Sequence, residues 1–312
     1  MTDRPLVVSL PGQALRDALE ATPGGVPDGV ELLTWDLDSP APREHLDLVV
    51  PPYMGASKRL GALAGVSTGL VQSQSIGYDD VPGALPPGHI YANAASVHET
   101  STAELALALT LAAQRGIPDF VRAADQGRWA PARHASLADR RVLLIGYGGV
   151  GRAIEERLAP FEVELTRVAH RARDDERGHI HGIDELDALL PSAEIVVVVV
   201  PLTDDTTGLV DAAFLAALPD GALVVNVARG KVADTDAILA EARSGRLRFA
   251  LDVTEPEPLP EGHPLFALPN VLVSPHVGGA TTAMMPRMAR LLRRQIERML
   301  RGDEPLNVVY RS

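Results

Sequence analysis

Short runs of branched apolar residues recur along the chain without a polar residue at every second place. Leu6–Ser9, Asp47–Val50, Leu70–Ser73, Arg141–Ile145, Glu194–Val200, Ala222–Val227, Phe249–Val253 and Val271–Ser274 are of this kind. A strand with one wet face alternates in polarity. A run that does not alternate predicts a strand covered on both faces, as in a parallel sheet under helices. Helical segments separate the runs: Gln13–Ala21, Thr102–Gln114, Arg152–Leu158, Ile183–Leu190, Ala212–Leu218 and Thr235–Arg243. Strands alternating with helices predict doubly wound α/β architecture. The sequence shows no fixed-period repeat and no low-complexity segment.

The chain of 312 residues is long enough for two domains, each with its own core. Residues 1–92 form one α/β unit. Thr102–Gln114, rich in Ala and Leu, reads as a buried helix carrying the chain into a second unit over 93–283. The last helix, from about Met284 to Arg301, follows the final strand. Its Met288, Leu291, Leu292, Ile296 and Leu300 point inward and its arginines outward. Packed back on the first unit, it makes that domain discontinuous, 1–92 plus 284–312.

Composition narrows the function. A hydrophobic share of 46% and a charged share of 22% are ordinary for a globular protein. The net charge of −12 repels phosphate backbones and anionic lipid, so neither nucleic acid nor a membrane surface is an expected partner. A small anionic substrate then needs a local cation. The absence of cysteine excludes disulfides, thiolate zinc sites and cysteine nucleophiles, and no metal is expected. Met1 to Leu10 is stopped by Pro11 and Gly12, too short for a signal sequence. Ile195–Leu202, the longest apolar run, is far below the ~18 residues that span a bilayer. The expected location is cytoplasmic.

Gly146-Tyr147-Gly148-Gly149-Val150-Gly151 matches GxGxxG, between a buried-strand run and a helix. Glycines there permit a tight turn and let backbone N–H groups approach a pyrophosphate at a helix N-terminus. An acidic residue at the next strand end, roughly 20 residues on, would bond the adenosine ribose hydroxyls. That region reads Val168-Ala169-His170-Arg171-Ala172-Arg173, with no carboxylate. Arg171 and Arg173 suit a 2′-phosphate, so NADP(H) is expected over NAD(H).

Three further segments lie at the ends of successive strands: Asn226-Val227-Ala228-Arg229-Gly230, Leu251–Pro258 and Ser274-Pro275-His276-Val277-Gly278-Gly279. An Arg can clamp a carboxylate and its neighbouring carbonyl. A His can exchange a hydroxyl proton near neutral pH, and a carboxylate beside it fixes its tautomer. These segments and the glycine motif, in this order, resemble the D-isomer-specific 2-hydroxyacid dehydrogenase family, glyoxylate/hydroxypyruvate reductase-like, over residues about 66–280. The resemblance implies two Rossmann-like doubly wound parallel-sheet domains, the first flavodoxin-like and discontinuous.

It also implies roles. Arg229 binds and polarises the substrate, His276 is the acid/base, and Glu257 is its partner. Glu257 is preferred to Glu255 because the family acid stands five residues after Asp252 and before a Pro. Asp252 holds the nicotinamide carboxamide. Pro201, Leu202 and Thr206 line the cofactor, as do Gly146, Gly148, Gly149, Val150, Gly151, Val227, Ala228 and Gly278. The loop Ser75–Asp79 resembles the one whose N–H groups receive the substrate carboxylate, through Ile76 and Gly77. Asn93, Glu104 and Arg115 also fit the pattern; His98 either lines the cleft or is structural. The implied assembly is a homodimer, with Thr102–Gln114 and neighbouring loops at the interface.

The implied reaction is hydride transfer between a nicotinamide dinucleotide and a small 2-oxo or D-2-hydroxy acid. A phosphoglycerate dehydrogenase-like enzyme and a non-catalytic dinucleotide-sensing scaffold are the alternatives. Formate oxidation fits less well, since similar formate enzymes carry Gln where Glu257 stands.

Overall fold

In the computed structural model, which describes residues 4–312, neighbouring side chains of the apolar runs enter two different cores. The first unit opens with β1 (Leu6–Leu10), α1 (Gln13–Glu20), β2 (Val30–Thr34), β3 (His45–Val49), β4 (Ser67–Gln72) and β5 (Ile90–Ala92). These strands pair in parallel in the order β2-β1-β3-β4-β5, which is the flavodoxin-like order. Val8, Leu10, Leu48 and Leu70 pack on one face with Leu15 and Leu19 of α1. Val7, Leu46, Val49 and Val71 pack on the other, beside Trp35 and Tyr91. Two covered faces explain the missing alternation.

The second unit contains α2 (Glu99–Gln114), α3 (Ile117–Asp125), β6 (Arg141–Ile145), α4 (Gly149–Leu158), β7 (Glu164–Ala169), β8 (Arg173–Asp175) and β9 (Gly178–Gly182). It continues with α5 (Leu186–Leu189), β10 (Ile195–Val198), α6 (Ala212–Ala217), β11 (Leu223–Asn226), α7 (Thr235–Ser244), β12 (Arg248–Leu251) and β13 (Val271–Val273). The sheet order is β13-β12-β11-β10-β6-β7-β9-β8, parallel except for β8 against β9. From β6 the chain goes to β7 on one side and later to β10 on the other. This places a switch point beyond the carboxyl ends of β6 and β10, where open α/β sheets take their ligands. Val142 and Leu144 share a core with Ala103, Ala106 and Leu109 of α2, and Leu143 and Ile145 share one with Phe214 and Ile238. Much of the Ala and Leu surplus of α2 is thus core of this unit.

The chain then returns to the first unit with α8 (Met284–Arg301) and β14 (Val308–Arg311). Met288, Leu291, Leu292 and Ile296 are fully buried with α1. Leu300, expected inward, is 38% exposed, because it lies in the last turn of α8, next to the Gly302 cap. β14 adds an antiparallel edge to β5.

The first unit comprises the described residues up to His98 with Thr281–Ser312, the second Glu99–Ala280. The first division falls six residues later than the expected 92/93. Residues 93–98 fold onto the first sheet: Asn93 Nδ2 donates to Ile76 O at 2.9 Å, Ala94 N to Ser75 O at 2.9 Å, and Val97 is buried in its core. Among the described residues no helix is long and apolar enough to cross a membrane.

Candidate active site

The glycine loop follows β6 and opens α4, and its glycines differ in what a side chain would meet. Gly146 has φ +107°, and a Cβ there would stand 2.7 Å from the Val199 carbonyl. At Gly151 a Cβ would strike the carbonyl oxygen of Gly146. At Gly148, the N-cap of α4, it would meet no atom within 4 Å. Gly146 and Gly151 are therefore required by packing, and at Gly149 a Cβ would come within 3.2 Å of the Glu99 side chain. Gly148 borders open space at a helix N-terminus, where backbone N–H groups lack a capping side chain and suit a phosphate. The loop fits the pyrophosphate of a dinucleotide.

The loop is anchored by a network that the motif does not reveal. Tyr147 is buried, and its hydroxyl donates to Glu155. Arg152 and Arg167 lie over its ring, with Cζ 5.7 and 5.2 Å from the centroid. Buried Arg167 also reaches Asp175 at 3.0 Å and the His179 carbonyl at 3.1 Å. This ties α4 and β7 to the β8–β9 hairpin. Arg167 sits among Leu165, Val168 and Ala169 in a strand that also carries Glu164 and Thr166, so the sequence pattern gives it no distinct signal.

β7 ends at Ala169, and the exposed residues His170 and Arg171 follow. Among the described residues the Arg171 guanidinium meets no acceptor. Arg173 differs: it donates to Tyr147 O at 3.2 Å and to Arg171 O at 3.5 Å. The nearby acids are turned into the hairpin, Asp175 toward Arg167 and the Arg177 N–H, Asp174 toward His179.

Beyond β10, Pro201 is exposed and Leu202 half-buried, whereas Thr206 is buried. The Thr206 hydroxyl donates to Pro201 O at 2.6 Å and accepts from Thr203 N at 2.8 Å. It staples its own loop.

Arg229, Glu257 and His276 lie on loops after β11, β12 and β13, three adjacent parallel strands. Asn226 shapes the first loop, accepting from Ala228 N at 3.0 Å and donating to Arg229 O at 3.1 Å. The half-buried Arg229 donates Nη1 to Ala228 O at 2.8 Å. A Cβ at Gly230 would strike the Thr254 carbonyl, so glycine lets the first loop lie against the second.

The buried Asp252 carboxylate accepts from Ser274 Oγ at 2.6 Å and from Val277 N and Gly278 N, each at 2.9 Å. Its carbonyl accepts from His276 N at 2.8 Å. These bonds hold His276 at φ +52°, a conformation that L-residues adopt at a cost and that concentrates at functional sites. His276 Nδ1 then stands 2.5 Å from Glu257 Oε1, with both side chains part-exposed. Glu255 makes a different contact, its carbonyl accepting from Thr235 Oγ1 at 2.5 Å.

In the first unit, Ile76 and Gly77 are half-buried in the loop after β4. Behind that loop His98 is buried, with Nε2 2.6 Å from Gln74 O and its ring stacked on Tyr53 at 5.6 Å. Gln74 in turn donates to Pro51 O at 2.8 Å. The loop is therefore ordered from beneath. Glu104 makes only a 3.9 Å surface pair with Arg157, and Arg115 is exposed.

Comparison with known proteins agrees with this geometry. The family model described as D-isomer specific 2-hydroxyacid dehydrogenase, NAD binding domain, matches residues 107–278, a span that includes the glycine loop, Arg229, Glu257 and His276. A glyoxylate reductase of Thermofilum pendens is 32% identical over 254 residues, 78% of this chain and 75% of its own. The human glyoxylate reductase/hydroxypyruvate reductase is 30% identical over 293 residues, 88% of this chain and 89% of its own. A D-isomer specific 2-hydroxyacid dehydrogenase from Xanthobacter autotrophicus Py2, solved in complex with NADPH and MES, is 30% identical, with a TM-score of 0.83 over 98% of both chains. The chain therefore belongs to the D-isomer specific 2-hydroxyacid dehydrogenase family, whose members are NAD(P)-dependent oxidoreductases.

Proposed function

We propose that this protein reduces a small 2-oxo acid of the glyoxylate or hydroxypyruvate kind to its D-2-hydroxy acid, with NADPH preferred to NADH. The observation that carries this reading is the His276–Glu257 pair, which joins the loop after β13 to the loop after β12, itself next to the loop after β11 that bears Arg229. The reduced nicotinamide, when bound, supplies the hydride for the C2 carbon. His276 delivers a proton to the carbonyl oxygen, which becomes the hydroxyl. Glu257 holds the imidazole in the tautomer that leaves Nε2 for that oxygen and stabilises the imidazolium. Arg229 supplies the cation that the acidic chain otherwise denies an anionic substrate. Ile76 and Gly77 offer backbone N–H groups to the substrate carboxylate. On this reading the second unit binds the dinucleotide and carries Arg229 and His276, and the first contributes Ile76 and Gly77.

In the second unit, Gly146, Gly148, Gly149, Val150 and Gly151 surround the pyrophosphate. Pro201, Leu202, Val227, Ala228 and Gly278 line the rest of the cofactor. Asp252 acts chiefly through the loop it shapes, since both its oxygens already accept from residues 274–278. Thr206 likewise acts by holding the 201–206 turn. Arg171 takes the 2′-phosphate directly, and Arg173 supports the loop beside it.

Assembly as a homodimer is part of the proposal. α3 exposes Ile117, Phe120 and Val121, and Trp129 beyond it is 95% exposed, apolar surface that a second copy would cover. A monomer by light scattering at micromolar concentration would overturn that part.

The deciding experiment is steady-state turnover of glyoxylate, hydroxypyruvate and 3-phosphohydroxypyruvate, each with NADPH and NADH. The expected result is highest kcat/KM for one of the two unphosphorylated acids with NADPH. Preference for the phosphorylated acid would favour the phosphoglycerate-type reading. Dinucleotide binding without turnover would favour a sensing scaffold.

A further inference from the structure

The β8–β9 hairpin carries a cluster that the hydride-transfer site does not use. His179 and His181 stand two apart on β9, so their side chains leave the same face of the strand. Their rings meet edge-on, with centroids 4.6 Å apart. Glu185, in the turn after β9, completes a group in which one ligand atom from each residue lies within 4.8 Å of the others. Two imidazoles and a carboxylate are the donor set of three-ligand zinc sites that keep a fourth position for water. No cysteine accompanies this His-x-His strand, so the usual thiolate spacing does not mark it in the sequence.

The surroundings favour a ligand set over a chance gathering. His181 Nδ1 lies 2.8 Å from Glu185 Oε2, while Glu185 Oε1 accepts from Gly182 N at 2.8 Å, which fixes the carboxylate. His179 Nδ1 lies 2.9 Å from Asp174 Oδ1, an outer carboxylate of the kind that sets the tautomer of a metal-bound histidine and leaves Nε2 for the ion. Ligand atoms at about 2.0–2.1 Å from a tetrahedral ion stand about 3.3 Å apart. The present spacing, up to 4.8 Å, is wider, so binding an ion would draw the three side chains together. Imidazole with carboxylate suits zinc, copper or nickel over calcium or magnesium.

We propose that His179, His181 and Glu185 form a binding site for one divalent transition-metal ion, zinc in the first instance, which clamps the β8–β9 hairpin to the turn that follows it. The ion takes the place of the hydrogen bond between His181 Nδ1 and Glu185 Oε2, and the imidazole keeps its proton on Nε2. Arg173 pairs with Ile180 across the hairpin, and a Cβ at Gly182 would stand 3.3 Å from Ala172 N. The clamp therefore acts on the segment that bears Arg171 and Arg173.

The test is calorimetric titration of the chelator-treated, cofactor-free full chain with zinc chloride, alongside thermal unfolding with and without zinc. One equivalent should bind saturably, and the melting temperature should rise with the ion present. His181→Ala should weaken binding at least about tenfold and abolish the thermal shift. The exposed His179→Gln should do the same with no expected cost to folding, which keeps the test decisive if His181→Ala is unstable. No saturable binding, or binding unchanged in both variants, would overturn the proposal and leave only an imidazole–carboxylate pair.

Discussion

His276 and Asp252 are joined through backbone and side chain at once: Asp252 O accepts from His276 N, and the Asp252 carboxylate accepts from Val277 and Gly278 on the far side. A residue in the left-handed region is thus held between fixed acceptors. The buried carboxylate is the template on which the acid/base loop is folded.

Asp252→Asn tests that template. An amide presents one oxygen, and its NH₂ would face a donor among Ser274 Oγ, Val277 N and Gly278 N. Leaving a buried donor unsatisfied costs about 1–3 kcal/mol. The melting temperature should fall, and kcat should fall with it because His276 is no longer held. Unchanged kcat in a destabilised variant would show that the loop keeps its shape without the carboxylate.

Glu257 and Glu255 are separated by the same reasoning. His276→Ala should lower kcat by ~10²–10⁴, the value of a positioned proton donor. Glu257→Gln should lower kcat by a smaller factor with KM little changed, since the amide keeps a hydrogen bond but not the charge that stabilises the imidazolium. Glu255→Gln should leave both constants near wild type. Steady-state kinetics of the three variants decide it, and equal losses at 255 and 257 would remove Glu257 from its role.

These contacts mark where sequence reading succeeds and stops. The runs Arg141–Ile145 and Glu194–Val200 were legible as strands because each face meets its own core, which leaves no polar position to blur the period. The placement of Arg229, Glu257 and His276 on neighbouring loops was legible because adjacent parallel strands deliver their loops to one end of a sheet. The β8–β9 hairpin, Arg173–Asp175 with Gly178–Gly182, was not. Its residues are mostly polar, and it is held by antiparallel backbone pairing and Arg167, neither of which leaves an apolar pattern. β2 escaped for a related reason, being an edge strand of intermediate burial. Thr206 shows a third limit: the bond from its hydroxyl to Pro201 O is set by the fold of its own loop and leaves no trace in the sequence pattern.

Arg171 and Arg173 should respond differently. Arg171 is exposed at the end of β7, and its contact with a 2′-phosphate would contribute about 1.5–3 kcal/mol. Arg171→Ala should therefore lower kcat/KM for NADPH at least roughly tenfold and leave NADH use near wild type. Arg173 donates to Tyr147 O in the glycine loop, so Arg173→Ala should weaken both cofactors. Equal effects of Arg171→Ala on the two cofactors would withdraw the NADP preference.

Asp47 gives the first unit an acid-sensitive anchor. Burial pushes its carboxyl up, but the Arg4 guanidinium, the Val7 N–H and His45 outweigh that and hold it below the usual range. Arg4 grips it with two hydrogen bonds of 2.9 and 3.0 Å. A carboxyl lowered in the folded state contributes stability above its unfolded value, about 3.9, and loses it as pH falls through the folded value. Melting temperature should therefore drop more steeply for wild type than for Asp47→Asn between about pH 4 and pH 2. Parallel curves would show that the Asp47 interactions add no pH-dependent stability.

The glycine loop offers a direct test of what occupies its open side. At Gly151 a methyl group has nowhere to go, since its neighbour is the Gly146 carbonyl oxygen, a backbone atom that cannot swing aside. Gly151→Ala should destabilise the second unit by about 1–3 kcal/mol, the range for overpacking, and impair cofactor binding as a consequence. At Gly148 the same methyl meets no protein atom within 4 Å, and the residue has extended backbone that alanine accepts. Gly148→Ala should therefore melt with wild type. Its cost should appear only with the dinucleotide, as a raised KM, because the methyl stands where the pyrophosphate must approach the α4 N–H groups. The pair separates a glycine required for packing from one required by the ligand. If Gly148→Ala bound cofactor as wild type does, the pyrophosphate would not lie over this turn, and the cradle assignment would fall.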